Sequence, residues 1–161
     1  MTDTDITPAT TADPTVAAAA AQFLTPVTHG LQALAVNGKQ AHWNVRGANF
    51  IAIHELLDEV VDHAQHGADL AAERIVALGL PIDARLATVA AKAKATAVAA
   101  GFAPWDATVR SIVADIDAVI VDVKAAIDGL DEVDLTSQDV AIEIARGLEK
   151  DRWFLVAHIS A

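Results

Sequence analysis

Hydrophobic residues along this chain recur at the three- and four-residue spacing of a helix rather than the alternation of a strand. Over residues 16–44 the apolar positions include Leu31 and Leu34, and this spacing predicts a first long helix with one apolar face. Thr25-Pro26 could equally be an N-cap followed by proline at the first helical position. The pattern therefore leaves open a kink or a fresh start at Pro26.

A second long helix is predicted over about 49–78, because Gly79 and Pro81 follow it in the order expected at a helix C-terminus. The Ala-rich segment 83–100 predicts a short extra helix. The whole connection between the second and third long helices spans about 25 residues, which is too long for a tight antiparallel turn and long enough for a crossover.

The third long helix is predicted over 106–130 and the fourth from about Thr136 to about Ile159. An apolar stripe marks the third helix, and it comprises Ile112, Ile116, Val119, Ile120, Val123 and Ile127. Thr136 and Asp139 have the spacing of a capping box, with Asp in the reciprocal position. The predicted fold class is therefore all-α, with four main helices and a short extra helix between the second and third.

Length and composition suit a single domain. The chain has 161 residues, of which 53% are hydrophobic and only 4% aromatic, a balance that favours helices over strands. Residues 1–15 are rich in Thr, Asp, Ala and Pro, so we predict a disordered N-terminal tail at 1–15 and a bundle domain at 16–161. The absence of Cys restricts any metal site to imidazole and carboxylate ligands.

The charge of the chain argues against nucleic acid as a partner. The net charge is −11, and the first Lys or Arg is Lys39. The N-terminal segment therefore lacks the cationic arm that would neutralise phosphates. It also has no signal-peptide pattern, and no apolar run is long enough to span a membrane. These features predict a soluble, cytoplasmic protein.

The candidate chemistry lies on the second helix. His54 and Asp58 are four residues apart, as are Asp69 and Glu73, so each pair projects from one face and could hold a cation. Asp58 and Asp69 lie eleven residues apart, which places them on nearly the same face but ~16 Å apart along the axis. One helix cannot bring both pairs to one metal.

Two copies of this helix, packed antiparallel about a two-fold axis near residues 63 and 64, would bring the two pairs of opposite chains together. His42, just before the turn at Gly47, lies close enough to the second helix to add a further ligand. Two imidazoles and three carboxylates suit iron, because carboxylates tolerate Fe(II) and stabilise Fe(III). The alternative is that these residues form an ordinary solvated face.

The segment from Lys39 to Pro81 resembles the signature of the Dps family, the dodecameric mini-ferritins named as DNA-binding proteins from starved cells. The resemblance covers His-Trp-Asn-Val-x-Gly at 42–47, Phe50, His54, Asp58, and Asp69 with Ala-Glu-Arg-Ile ending at Ile75. Conventional ferritins instead carry Glu-x-x-His motifs inside one bundle, and this sequence contains none. The mini-ferritin branch therefore fits better.

The resemblance implies a ferritin-like four-helix bundle that assembles into a dodecamer with two-fold ferroxidase interfaces. It implies that one subunit supplies His42, His54 and Asp58 and that its two-fold mate supplies Asp69 and Glu73. Members of the family bind Fe(II) at this interface, oxidise it preferentially with hydrogen peroxide, with dioxygen as the alternative oxidant, and store Fe(III) in a hollow shell. Iron storage and protection against oxidative stress are the expected roles.

Other residues are candidates for secondary roles. Asp134, Asp139 and Glu143 could line an acidic three-fold pore, although an N-cap role for Asp139 and plain solvent exposure are simpler explanations. Trp43 adjoins a proposed ligand and could pack over the metal, although an aromatic residue at a helix end is more often part of a core or an interface.

Two functions from other classes are alternatives. The same ligands could lower the pKa of a bound water in a metal-dependent amide or ester hydrolase, but no substrate pocket is evident in the sequence. A DNA-compacting protein is the second alternative, and the missing basic tail disfavours it.

Overall fold

The computed structural model describes residues 12–96 and 98–160. Four long helices and one short helix account for most of these residues, and two short strands pair with each other. In chain order the elements are α1 (Pro14–Asn44), β1 (Val45–Arg46), α2 (Phe50–Ala77), α3 (Leu86–Lys92), β2 (Ala103–Pro104), α4 (Trp105–Leu130) and α5 (Leu135–Ile159). The predicted all-α four-helix bundle with a short extra helix is confirmed.

Helix α1 begins at Pro14, close to the predicted end of the N-terminal tail; residues 1–11 of that tail lie outside the described residues. Asp13 is its N-cap, and the Asp13 side chain accepts a hydrogen bond of 2.7 Å from the backbone N–H of Thr15. Proline at the first helical position costs nothing, because its missing N–H would have no partner there.

Pro26 lies inside α1, so the helix neither ends nor restarts at that point. A proline within a helix removes one backbone hydrogen bond and usually kinks or breaks the helix. Here Leu24 and Val27, on either side of it, are both fully buried. Their burial in the core stabilises the helical path on both sides of the proline, and this tertiary contribution is invisible in the local sequence.

The core lies between the long helices. Helix α1 packs mainly against α2 and α4, and α5 packs against α4 and α2. The largest fully buried side chains come from all four helices: Leu24, Leu31, Leu34, Ile53, Leu57, Ile75, Ile112, Ile116, Leu130 and Leu155. Within the described residues no helix is long and apolar enough to cross a membrane.

The connection between α2 and α4 crosses the bundle and is tied down by polar contacts. The buried Asp115 of α4 accepts hydrogen bonds from the Asn37 side chain of α1, at 2.7 Å, and from the Thr96 backbone and hydroxyl, at 2.5 Å. Within the predicted 83–100 segment only Leu86–Lys92 is helical. The rest is held by these side-chain contacts rather than by helical hydrogen bonds.

A small parallel bridge was not expected from the sequence. Val45 pairs with Ala103 and Arg46 with Pro104, which joins the turn after α1 to the residues just before α4. Gly47 follows this bridge with a positive φ of 118°, and a Cβ there would lie 2.8 Å from the Trp105 ring. Two-residue strands carry no periodicity that a sequence pattern could reveal.

The start of α5 differs from the prediction. Its N-cap is Asp134, whose side chain accepts from the Ser137 backbone N–H. The Arg74 guanidinium of α2 also donates to Asp134, at 2.7 Å. The predicted capping box at Thr136 and Asp139 is therefore wrong, because both residues already lie inside the helix.

Candidate metal centre

His42 and His54 face each other across the α1–α2 turn. The Nδ1 atom of His42 is 2.7 Å from the carbonyl oxygen of His54, and the Nδ1 atom of His54 is 2.9 Å from the carbonyl oxygen of His42. Their rings stack with centroids 3.6 Å apart. His42 is buried, and Phe50 packs 5.1 Å from the His54 ring.

These paired contacts fix which ring nitrogens are free to bind a metal. A carbonyl oxygen can only accept, so each Nδ1 carries the hydrogen and donates it. In a neutral imidazole the Nε2 atom then keeps its lone pair. Metal-binding histidines in proteins are held in this way by a backbone carbonyl on the other nitrogen. Both rings are therefore oriented and in the correct tautomer before any metal arrives.

Asp58 lies one helical turn after His54 and contacts both a histidine and a lysine. Its carboxylate is 3.4 Å from the Nδ1 atom of His42 and forms a short ion pair with Lys39 of α1. The hydrogen bond from Lys39 lowers the pKa of Asp58 below its ordinary value, and burial opposes this only in part. Asp58 is thus ionised and ready to bind a cation, but an ammonium group already contacts it.

Asp69 and Glu73 lie further along α2, exposed to solvent, and neither makes an ion pair or a side-chain hydrogen bond with another described residue. Because α2 is a continuous helix, Asp69 lies ~16 Å along the axis from Asp58. The structure therefore brings together three of the five predicted ligands, His42, His54 and Asp58. Within one chain it does not bring Asp69 and Glu73 to them.

No group of three or more His, Asp or Glu residues is placed to hold one metal ion within residues 12–96 and 98–160. The two histidines and Asp58 are close, but Asp58 is turned toward Lys39. Two imidazoles and one carboxylate are a ligand set that iron accepts with open coordination positions, which further carboxylates could fill.

Exposed apolar residues surround the predicted ligands on one face of the bundle. On α2, Ile51 and Val76, which are 60% and 55% exposed, mark the two ends of a stripe whose other residues include the polar predicted ligands. All the α2 ligands fall within this stripe, which is about 100° wide. On α1 Val36 and Trp43 are 58% and 64% exposed, and they border Lys39 in a shallow groove. Several large apolar side chains exposed on one face are more typical of a surface that binds another protein than single ones are.

Trp43 lies on this face rather than in the core, so its exposure fits a contact with a second subunit. Lys39 is a residue of the half-site that sequence reasoning missed. Its partner Asp58 is nineteen residues away on another helix, and no sequence spacing reports such a contact. The only available signal was its position three residues before His42 on the same helix.

The three residues considered for a pore have different surroundings. Asp134 is largely occupied as the N-cap of α5 and by Arg74. Burial would raise the pKa of Asp134, but hydrogen bonds from Arg74 and Ser137 outweigh this and lower it. Asp139 and Glu143 are exposed one turn apart on α5. A role for these residues at a pore stays a prediction. The observed role of Asp134 is to cap the N-terminus of α5.

Comparison with known proteins identifies the family. Residues 27–161 match the family model of the ferritin-like domain. The chain is 35% identical over 127 residues to a DNA protection during starvation protein of Agrobacterium fabrum, which covers 78% of each protein. A protein of the same name from Mycolicibacterium smegmatis is 37% identical over 133 residues, covering 76% of this chain and 67% of that protein.

The chain belongs to the Dps family of ferritin-like proteins. A solved structure agrees with this assignment: the fold is similar to that of Dps from Microbacterium arborescens in the high iron form, with a TM-score of 0.92 and 74% sequence identity. The match covers 94% of this chain and 99% of that one. The half-site described above is therefore interpreted by comparison with mini-ferritins of the Dps family.

Proposed function

We propose that this chain binds Fe(II) at sites shared between two subunits and acts there as a ferroxidase. The observation that carries the proposal is the division of one α2 face into two parts. His42 of α1 joins His54 and Asp58 in an oriented half-site at one end. At the other end Asp69 and Glu73 stand exposed, without a side-chain partner among the described residues. An antiparallel copy of α2 would place each end opposite its complement.

Exposed apolar side chains on the same face support this arrangement. Ile51, Val76, Val36 and Trp43 would be buried when the two copies meet. Burial of apolar surface is the main driving force for association. The site and the interface would therefore form in one step, and each dimer would carry two sites.

In the proposed reaction two Fe(II) ions lose one electron each. Hydrogen peroxide, the proposed preferred oxidant, accepts both electrons and two protons, its O–O bond breaks, and two water molecules result. Bridging carboxylates from both subunits would hold the ions close enough for the two electrons to be delivered together. Pairwise transfer avoids the release of hydroxyl radical, which one-electron reduction of peroxide would generate.

Storage of the Fe(III) product in a dodecameric shell is part of the proposal. Support comes from the family and from the related Dps of Microbacterium arborescens, whose structure is described as a high iron form. The net charge of −11 on each chain would concentrate cations around and inside such a shell. Asp139 and Glu143 remain the candidates for acidic residues along the entry route, and we expect the protein to work in the cytoplasm.

The test combines native mass spectrometry with peroxide-driven Fe(II) oxidation in wild type and in the Asp58→Ala, Glu73→Ala double variant. A dodecamer of 16.8 kDa chains predicts about 202 kDa. Fast oxidation should be lost in the double variant and kept in Asp128→Ala, which removes an exposed carboxylate of α4 that is not among the predicted ligands. A monomeric wild type, or unchanged oxidation in the double variant, would contradict the proposal.

Metal-dependent hydrolysis and DNA compaction are not proposed. Nothing in the half-site geometry points to a scissile amide or ester, and the relatives named above do not carry a hydrolase name. Although the names of those relatives refer to DNA protection, this chain has no Lys or Arg before Lys39. Protection through iron chemistry needs no contact with DNA, and we expect no mobility shift of plasmid DNA at neutral pH and moderate salt.

A further inference from the structure

A cavity of about 400 Å³ opens between α2 and α5, and none of the predicted metal ligands lines it. Its inner wall is apolar and consists of Leu31 of α1, Leu70 of α2, and Ile144 and Leu148 of α5. Its volume lies within the range of about 300–1,000 Å³ that is usual for small-molecule sites.

Two glycines on facing helices leave this space open. A Cβ at Gly67 would lie 3.2 Å from Leu31 and 3.4 Å from Ile144, so Gly67 lets α2 approach the floor of the cavity. A Cβ at Gly147 would meet nothing within 4 Å. Gly147 is therefore not needed for close helix packing, and its missing side chain is part of the empty volume.

The rim of the cavity is cationic, although the chain is strongly acidic. Arg146, Lys150, His63 and His66 line it, against a single carboxylate from Glu143. The whole chain has 22 acidic and only 11 basic residues other than histidine. Within the described part of the chain neither Arg146 nor Lys150 has an ion-pair partner, whereas Arg74 and Arg152 do. The Lys150 ammonium also lies over the Phe154 ring, 5.4 Å from its centroid. Two cationic groups without a carboxylate partner among the described residues, on one small cavity, favour an anionic ligand.

His63 is held in place by a buried carboxylate. Its Nδ1 atom is 2.9 Å from Asp151, whose side chain is only 3% exposed, whereas the His63 side chain is 49% exposed. The contact with Asp151 occupies one ring nitrogen and leaves Nε2 for the cavity. Such orientation of an exposed imidazole by a buried acid is typical of a binding group.

We propose that this cavity binds a small amphipathic carboxylate, with the alkyl chain on the apolar wall and the carboxylate at Arg146 and Lys150. The planar guanidinium of Arg146 can bind both carboxylate oxygens, and Lys150 adds a second positive charge. An inorganic anion would leave the apolar wall in contact with water. A metal ion would meet the positive charges of the rim.

The proposal can be tested with decanoate, titrated by calorimetry into assembled protein that has been stripped of metal by a chelator. Decanol and inorganic phosphate serve as matched probes that lack the carboxylate and the alkyl chain. Three variants address the cavity: Arg146→Gln with Lys150→Gln removes the charges, Gly147→Leu fills the volume, and Gly147→Ala is the matched control. Lys124→Gln controls for loss of an exposed lysine outside the cavity.

Decanoate should bind wild type more tightly than decanol or phosphate does. Its affinity should fall about tenfold or more in the charge variant, because charge-assisted hydrogen bonds are lost, and should be abolished in Gly147→Leu. Affinity should stay at the wild-type level in Gly147→Ala and Lys124→Gln. Native mass and circular dichroism show that each variant is assembled and folded. Equal affinity of wild type and Gly147→Leu, or no decanoate binding to wild type, would overturn the proposal, as would tighter binding of phosphate.

Discussion

Replacing Lys39 by Met should increase the affinity of the half-site for a divalent metal. In the structure the Lys39 ammonium contacts the Asp58 carboxylate, and a metal ion that binds Asp58 has to displace it. Methionine keeps most of the apolar stem of the side chain, ending where the lysine has Cε, but removes the charged group. The variant therefore isolates the competition between the ammonium and the metal ion.

The size of the effect follows from the exposure of the pair. The Lys39 and Asp58 side chains are 38% and 46% exposed, and ion pairs that are this accessible to water contribute about 0.2–1 kcal/mol. Since about 1.4 kcal/mol corresponds to a tenfold change in binding, Zn(II) should bind Lys39→Met about 1.4-fold to about fivefold more tightly than wild type. Zn(II) is a suitable probe because it has no redox chemistry.

The effect should also depend on pH. The hydrogen bond from Lys39 lowers the pKa of Asp58, so removing Lys39 raises that pKa and lets protons compete with the metal from a higher pH. The gain in Zn(II) affinity should be largest near neutral pH and should shrink as the pH falls toward about 4. Calorimetric titration at several pH values measures this, with Lys124→Met as the control. Unchanged or weaker Zn(II) binding in Lys39→Met at neutral pH would refute the reasoning.

Four further predictions concern stability and are checked by chemical denaturation. Gly38→Ala should be destabilising, because a Cβ there would lie 2.7 Å from Val61. The overpacking cost of about 1–3 kcal/mol exceeds the helix-propensity gain of about 1 kcal/mol. Gly147→Ala should instead raise the free energy of unfolding by about 0.5–1 kcal/mol. Asp134→Ala should lose about 1–2 kcal/mol at neutral pH, and this loss should shrink in acid because the pKa of Asp134 is lowered in the folded state. Burial raises the pKa of Asp151. The free energy of unfolding of wild type should therefore fall relative to that of Asp151→Asn as the pH rises above about 4. Parallel plots of unfolding free energy against pH for the two proteins would contradict this.

The long helices could be predicted because their signals are local and repeated. The apolar stripe of α4 and the Gly79 and Pro81 stop after α2 place helix ends within a residue or two of the observed ones. Pro26 shows the limit of such reasoning: local propensity permits a break there, and only burial on both sides of the proline shows that the helix continues. The N-cap of α5 was missed for a similar reason, since Arg74 of another helix helps to select Asp134 over Thr136.

The residue types of the candidate site and the helix face that carries them could be predicted from the sequence. The contacts that these residues make could not. Spacing alone places His54, Asp58, Asp69 and Glu73 on one side of α2, and the structure keeps them there. The reciprocal hydrogen bonds of His42 and His54 depend on the close approach of two backbones across a turn, and the Lys39 contact depends on helix packing. Neither leaves a periodic trace in the sequence.

The most direct test of the central claim is complementation between two inactive variants. Asp58→Ala and Glu73→Ala should each form assemblies with little peroxide-driven Fe(II) oxidation. When the two chains are co-expressed in equal amounts, each mixed two-fold interface should contain one site with all five ligands and one site lacking two. Random assembly would then restore about a quarter of the wild-type sites. Recovery of fast oxidation to about that level is the predicted result, and no recovery in co-assembled shells would contradict a site shared between subunits.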